Sequence, residues 1–257
     1  MTIYSQKGQN NPPIIQFCET DMSKKHQPVL PVDKRTFNEL RDELRKRLLP
    51  YLRRAFNQIR PISRPQILDI GCGSGVPTLE LAHLSNGEVT ALDTDGEALQ
   101  RLKTKIRQAN LENQVHIIEK SMTQMDFPNE SFDILWAEGS TFVIGFKNAL
   151  KSWKRFLKPN GYFVVHDEAE NLEKKLHDVT ACGYRLVDWF SIGDDIWWLN
   201  YYEPLKREIQ QIRRSNPTDP ELKTALKRAE KEIQGYQKFP WRYRSVYFIM
   251  QKPDPSS

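Results

Sequence analysis

The sequence predicts an α/β protein built on a doubly wound parallel sheet, and three observations carry that reading. A short apolar run, Ile67 to Ile70, runs into three glycines at alternate positions and then a helix start. A second short run, Glu88 to Asp93, ends in an acid about twenty residues after the glycine turn. Strand-like and helix-like segments then alternate as far as Val165, the rhythm of parallel strands joined by helical crossovers.

The elements follow in order. Residues 1 to 33 are polar and punctuated by Pro12, Pro13, Pro28 and Pro31, which predicts a flexible arm. Phe37, Leu40, Leu44, Leu48, Leu52 and Phe56 keep helical spacing, and Pro50 predicts a kink or a restart. Ile67 to Ile70 reads as a buried parallel strand. Val76 to Ala82 reads as a helix whose second residue, Pro77, suits a first turn that has no use for its N–H. Leu99, Leu102 and Ile106 mark a crossover helix over 96–109. Leu172, Leu176 and Val179 lead to Gly183 as a helix stop, and Tyr184 to Ile192 is strand-like. Two charged helices, Glu203 to Arg214 and Asp219 to Gln237, then break the alternation around Ser215-Asn216-Pro217, before a last strand over 245–250. The expected organisation is an N-terminal arm (1–33), a core with N-terminal helices (34–202), a helical insertion near the substrate mouth (203–238), and the last strand with a tail (239–257).

Composition narrows the setting. The chain has 257 residues and a net charge of +5. Cys18, Cys72 and Cys182 are far apart and form no C-x-x-C pair, which points to a reducing compartment and no structural zinc. The absence of a long apolar run and of a signal-peptide core predicts a cytoplasmic protein without a membrane partner. Basic residues concentrate in 34–60 and 206–231, mixed with acids at helical spacing. They read as solvated helix faces, with nucleic-acid docking as the competing reading. A monomer or a homodimer is expected.

The glycine turn carries the chemistry. Gly71, Gly73 and Gly75 do not keep the G-x-G-x-x-G spacing of a dinucleotide site, and no lysine followed by Ser/Thr makes a phosphate loop. What remains is a nucleoside ligand without phosphates. Asp69 at the strand end supports it, since a carboxylate there repels a pyrophosphate and attracts an ammonium or sulfonium. Asp93 stands where an acid can accept both ribose hydroxyls.

At these residues the chain resembles the class I S-adenosylmethionine-dependent methyltransferases of the small-molecule type. Leu68-Asp69-Ile70-Gly71-Cys72-Gly73-Ser74-Gly75 is similar to the family's first motif, and Val89 to Asp93 to its ribose-binding strand. Met125 to Trp136 resembles the approach to the fourth strand, and Phe156 to Val165 the turn into the fifth. The resemblance implies a Rossmann-like sheet, mostly parallel, with the last strand antiparallel. It also implies S-adenosylmethionine as cofactor, held by Asp69, Gly71, Cys72, Gly73, Gly75, Asp93, Thr94, Ser121, Met122 and Glu138. Ser121 replaces an Asp that many relatives aim at the adenine amino group, and Asn160 replaces a commoner Gly. The segment 136–146 with its Glu138-Gly139 pair resembles an uncharacterised subgroup.

Methyl transfer from a sulfonium needs alignment more than a nucleophile, so no catalytic triad is expected. Glu138 and His166 are the candidate catalytic residues, with Glu138 as a glycine-loop cap and His166 as a satisfied edge histidine the bland alternatives. Asp167 and Glu168, after the fifth strand, are further candidates for a base or acceptor anchor, with the start of the next helix as the bland alternative. Adjacent residues on an extended chain point to opposite faces, so His166, Asp167 and Glu168 predict no metal site. Trp197 and Tyr201, in a run of four aromatics, either wall the substrate or form an apolar junction under the insertion. The leading expectation is transfer to a small organic acceptor. An RNA or protein methyltransferase, a non-catalytic S-adenosylmethionine-binding module, and an NAD oxidoreductase that fits the fold but not the glycine spacing compete with it.

Overall fold

The computed structural model describes residues 32–254; the expected N-terminal arm lies, apart from its last two residues, outside them. Among the described residues seven strands form one sheet. They are β1 (Gln66–Ile70), β2 (Glu88–Asp93), β3 (Val115–Glu119), β4 (Phe132–Glu138), β5 (Leu157–Glu168), β6 (Arg185–Ile192) and β7 (Ser245–Gln251). The spatial order is β3-β2-β1-β4-β5-β7-β6. β1 to β5 pair parallel, whereas β7 runs antiparallel to both β5 and β6.

Alternation along the strands sorts the core into two layers. Ile67, Val89, Ile134, Trp136, Val164 and Ile249 pack on one face. There they meet α2 (Leu49–Phe56), α3 (Val76–Ser85) and α4 (Gly96–Gln108). Leu68, Leu92, Leu135, Phe163 and Phe248 pack on the other face, against α5 (Phe146–Trp153) and α6 (Leu172–Ala181). The N-terminal helix stops at Lys46 (α1, Lys34–Lys46), and α2 restarts with Pro50 in its first turn. Pro77 and Gly183 also fall at helix ends, and Asn160 takes φ +60° before the close-packed Gly161.

One expectation is corrected. Asp167 and Glu168 do not begin a helix: β7 extends the β5 ladder through them, pairing Asp167 with Val246 and Glu168 with Ser245. The helix α6 starts only at Leu172.

Beyond β6 the chain makes α7 (Asp194–Trp197), a wide π-type turn over Trp198–Tyr202, then α8 (Glu203–Arg214) and α9 (Pro220–Lys238). These helices and α1 share a core of their own, with Phe37, Leu44, Tyr202, Leu205, Leu226 and Ile233 at its centre. Arg41 ties it together, donating to the Tyr201 hydroxyl at 2.9 Å and pairing with Glu232 at 3.1 Å. Because Leu226 is fully buried in this cap, Leu226→Ala should cost about 2–5 kcal/mol of stability, read as a lower urea midpoint.

Candidate active site

Register builds the site. Glu138 pairs with His166, His166 with Tyr247, and Tyr247 with Phe190, so one row crosses β4, β5, β7 and β6. All four belong to the face that carries Trp136, Val164 and Ile249, because side chains alternate with period two. The row lies at the carboxyl ends of the parallel strands, where such sheets bind ligands.

The row is a stack with a polar end. Tyr247 lies flat on His166, with ring centroids 4.1 Å apart and planes 2° apart. Phe190 stacks on Tyr247 from β6, and Trp197 of α7 lies parallel to His166. The guanidinium groups of Arg45 and Arg54 sit over the two end rings, Trp197 and Phe190.

Hydrogen bonds link the members of the stack. Trp197 Nε1 donates to Ser245 Oγ at 2.9 Å, and the Ser245 hydroxyl lies 2.8 Å from His166 Nε2. His166 Nδ1 faces Glu138 Oε2 at 3.8 Å. Glu138 Oε1 accepts from Trp136 Nε1 at 2.9 Å and from the Tyr247 hydroxyl at 2.8 Å. Burial alone would push the Glu138 carboxyl up, but His166, Trp136 and Tyr247 together hold it below its ordinary value. Burial, reinforced by Glu138, drives the Tyr247 phenol well above its own, so it stays a donor. Glu138 does not cap its neighbouring glycine: Gly139 N–H donates to the His166 carbonyl instead.

The glycine loop stands beside this row. Gly71, Gly73 and Gly75 all have left-handed φ, between +53° and +79°. A Cβ on Gly71 would meet Ser140 Cβ at 2.5 Å, because the Ser140 hydroxyl donates to the Ile70 carbonyl and pulls the β4 loop onto β1. A Cβ on Gly75 would strike Leu102 of α4. At Gly73, by contrast, a Cβ would enter open space, which leaves the backbone bare toward a ligand. Gly73 N–H donates to Asp93 Oδ2 at 2.7 Å, while the Thr94 and Asp95 N–H groups hold Oδ1. Asp69 is buried behind the loop and accepts from the Thr78 hydroxyl at 2.7 Å. Burial, with Glu138 and Asp93 adding to it against the Thr78 bond, pushes the Asp69 carboxyl up to about 7.

The structure therefore brings Asp69, the three glycines, Cys72, Asp93, Thr94, Glu138 and His166 to one edge of the sheet. Met122 joins them, its Cε 3.6 Å from where a Gly71 Cβ would lie, and the Ser121 hydroxyl bonds Thr123 next to it. Trp197 lines a small pocket with Glu138, His166, Tyr247, Arg45 and Pro77, whose free volume of about 20 Å³ suits one water. Tyr201 lies instead in the cap core. Three site residues were not anticipated: Ser245, Tyr247 and Asp42. Asp42 of α1 accepts from Ser74 at 2.6 Å and from Lys105 at 2.7 Å, pinning the glycine loop to α4. Ser245 and Tyr247 belong to no motif, and only the register of β7 reveals them.

Residues 67–161 match the family model described as a methyltransferase domain. The span covers the glycine loop, Asp93, Glu138 and the turn at Gly161. The likeness is to a methyltransferase domain and spans 95 of the 257 residues. A sterol 24-C-methyltransferase of Eremothecium gossypii is 31% identical over 132 residues, 51% of this chain; the chain spans only 35% of that relative's length. The geranyl diphosphate C-methyltransferase of Streptomyces coelicolor A3(2), solved with Mg²⁺, geranyl diphosphate and S-adenosyl-L-homocysteine, superposes with a TM-score of 0.60. That match is 15% identical and covers 91% of this chain and 94% of the other. The [4+2]-cyclase SpnF superposes at 0.62 with 18% identity, covering 86% of this chain and 83% of that one. The fold is thus shared with enzymes named for different reactions, and function has to be argued from the site.

Ser245 joins two polar groups, Trp197 Nε1 and His166 Nε2. Ser245→Ala should strand both and lower stability by about 1–3 kcal/mol, which chemical denaturation measures.

Proposed function

We propose that this protein is an S-adenosylmethionine-dependent methyltransferase that acts on a small organic acceptor. One observation carries the reading: Gly73 presents open backbone while its N–H locks Asp93, beside buried carboxyl groups that favour a cation. A nucleoside sulfonium fits that donor set and a pyrophosphate does not. S-adenosylmethionine would supply an activated methyl group and its own leaving group. The remaining acceptor capacity of Asp93 suits the ribose hydroxyls, and Ser121 with Met122 suits the adenine. Asp69 acts through its charge from behind the loop.

The acceptor side needs orientation rather than strong base catalysis, and good alignment supplies about 7–11 kcal/mol of such a barrier. Glu138, held below its ordinary pKa, is a weak base and a good anchor for positive charge. His166 has Nε2 engaged by Ser245 and serves to position Glu138. Trp197 walls the small pocket beside Glu138 and His166, with Arg45 over its ring. In this reading 34–202 with 239–257 forms the catalytic unit and 203–238 caps the acceptor mouth. Cys72 and Cys182 are free thiols, which supports a reducing, cytoplasmic setting.

Calorimetric titration with S-adenosylhomocysteine and then NAD tests the reading. Tight binding of the first alone, weakened roughly tenfold or more in Asp93→Ala by loss of charge-assisted hydrogen bonds, is expected. NAD binding, or no binding at all, rules the proposal out. A second test uses the Asp69 carboxyl, which sits near 7 without ligand. A bound sulfonium lowers that value, so a proton leaves on binding and affinity rises as pH climbs toward about 7. S-adenosylmethionine should release more proton than S-adenosylhomocysteine when titrated in buffers of different ionisation enthalpy; equal release would remove Asp69 from the site.

A further inference from the structure

Ser74 stands between Gly73 and Gly75, both at left-handed φ, where a chain has the most backbone freedom to lose on being fixed. Two helices fix it. Ser74 Oγ donates to Asp42 Oδ1 of α1 at 2.6 Å, and the Ser74 carbonyl accepts from Lys105 Nζ of α4 at 2.9 Å. Lys105 Nζ also pairs with Asp42 Oδ2 at 2.7 Å, so the three residues close a ring. The Asp42 and Lys105 side chains are only 13% and 18% exposed, which removes the solvent screening that weakens a surface ion pair. A hydroxyl donating to a carboxylate is also a charge-assisted bond.

The ring is the last of several holds on the glycine loop. The Gly71 and Cys72 N–H groups donate to the Leu92 carbonyl, and Gly73 N–H donates to Asp93. Gly75 packs so close to Leu102 of α4 that a Cβ there would meet it at 2.2 Å. Lys105 lies one turn beyond Leu102, so α4 fixes Gly75 by contact and Ser74 by a hydrogen bond. Asp42 comes from outside this strand and crossover unit, and it precedes the residues 67–161 that match the methyltransferase domain. Its helix neighbours Phe37 and Leu44 serve the cap core, whereas Asp42 spends a buried carboxylate on the loop. Such a group costs free energy unless fully partnered, and its partners here are Ser74 and Lys105.

We propose that Asp42 and Lys105 are positioning residues for the nucleoside cofactor, given the cofactor reading on which this rests. Through Ser74 they hold Gly73 in the conformation whose N–H meets Asp93 and whose open side meets the ligand. A loop released from the ring adopts that conformation only part of the time, and affinity falls by the same fraction.

Calorimetric titration with S-adenosylhomocysteine compares the parent with Asp42→Ala, Ser74→Ala, their double variant and Val179→Ala. Val179 is fully buried in α6 on the other face of the sheet, so its variant is destabilised without touching the loop. The expected result is binding about tenfold weaker in Asp42→Ala. Ser74→Ala, which keeps Lys105 on the Ser74 carbonyl, should lose less, and the double variant no more than Asp42→Ala alone. Val179→Ala should bind as the parent does. Hydrogen exchange without ligand gives a readout independent of the cofactor: peptides covering 71–75 should exchange faster in Asp42→Ala and not in Val179→Ala. Parent-like affinity in Asp42→Ala, an equal loss in Val179→Ala, or additive losses in the double variant would each overturn the proposal. Faster exchange with unchanged affinity would also overturn it, leaving a brace without a role in binding. A parent that binds no S-adenosylhomocysteine overturns the cofactor reading and this proposal with it.

Discussion

The row of Glu138, His166, Tyr247 and Phe190 depends on the ladder that β7 makes between β5 and β6. A purely parallel order would set β6 beside β5 and leave His166 against Phe190. Inserting an antiparallel strand places Tyr247 on the His166 ring and sends Ser245, two residues earlier on the same face, to its Nε2. The Tyr247 phenol then crosses the row to Glu138. Each polar group in this buried row has a partner, which is the condition under which low dielectric strengthens a network rather than penalising it. The same ladder lengthens β5 to Glu168, where Lys175 of α6 pairs with Asp167 at 2.9 Å.

Three carboxyl groups, Asp69, Asp93 and Glu138, act on one another within that edge, and the fold treats each differently. Glu138 receives donors and stays ionised; Asp93 receives three backbone N–H groups. Asp69 receives one hydroxyl and is left at about 7 from an ordinary value of 3.8. Its folded pKa lies above the unfolded one, so ionisation works against the fold: nothing is lost below the ordinary value, and the cost is complete above about pH 7. The size is about 4 kcal/mol. A positive charge bound beside the loop would offset that cost, as protonation of Asp69 does below about pH 7.

The sheet, its order of strands and helices, and the glycine loop were legible because they are local signals. Period-two and period-3.6 patterns, Pro50, Pro77 and Gly183 at helix ends, and the spacing from Gly73 to Asp93 all act within a few residues or one crossover. The partners of Glu138 were not legible, since Ser245 and Tyr247 lie over a hundred residues away and their faces are set by register, which no single strand encodes. Asp167 and Glu168 were ambiguous for the same reason: acids suit a helix start, and only the β7 ladder decides for strand. Trp197 and Tyr201 share one aromatic run and stay in edge-on contact at 6.3 Å, but Tyr201 is buried in the cap core while Trp197 also lines the pocket beside His166.

The helix α1 joins the two halves of the site. Asp42 holds Ser74 of the glycine loop and Lys105, while Arg41 and Arg45, four residues apart on one helix face, reach Tyr201 and Trp197. Phe37 and Leu44 anchor the helix in the cap core. The same helix therefore touches both the glycine loop, through Asp42, and the pocket beside Glu138 and His166, through Arg45.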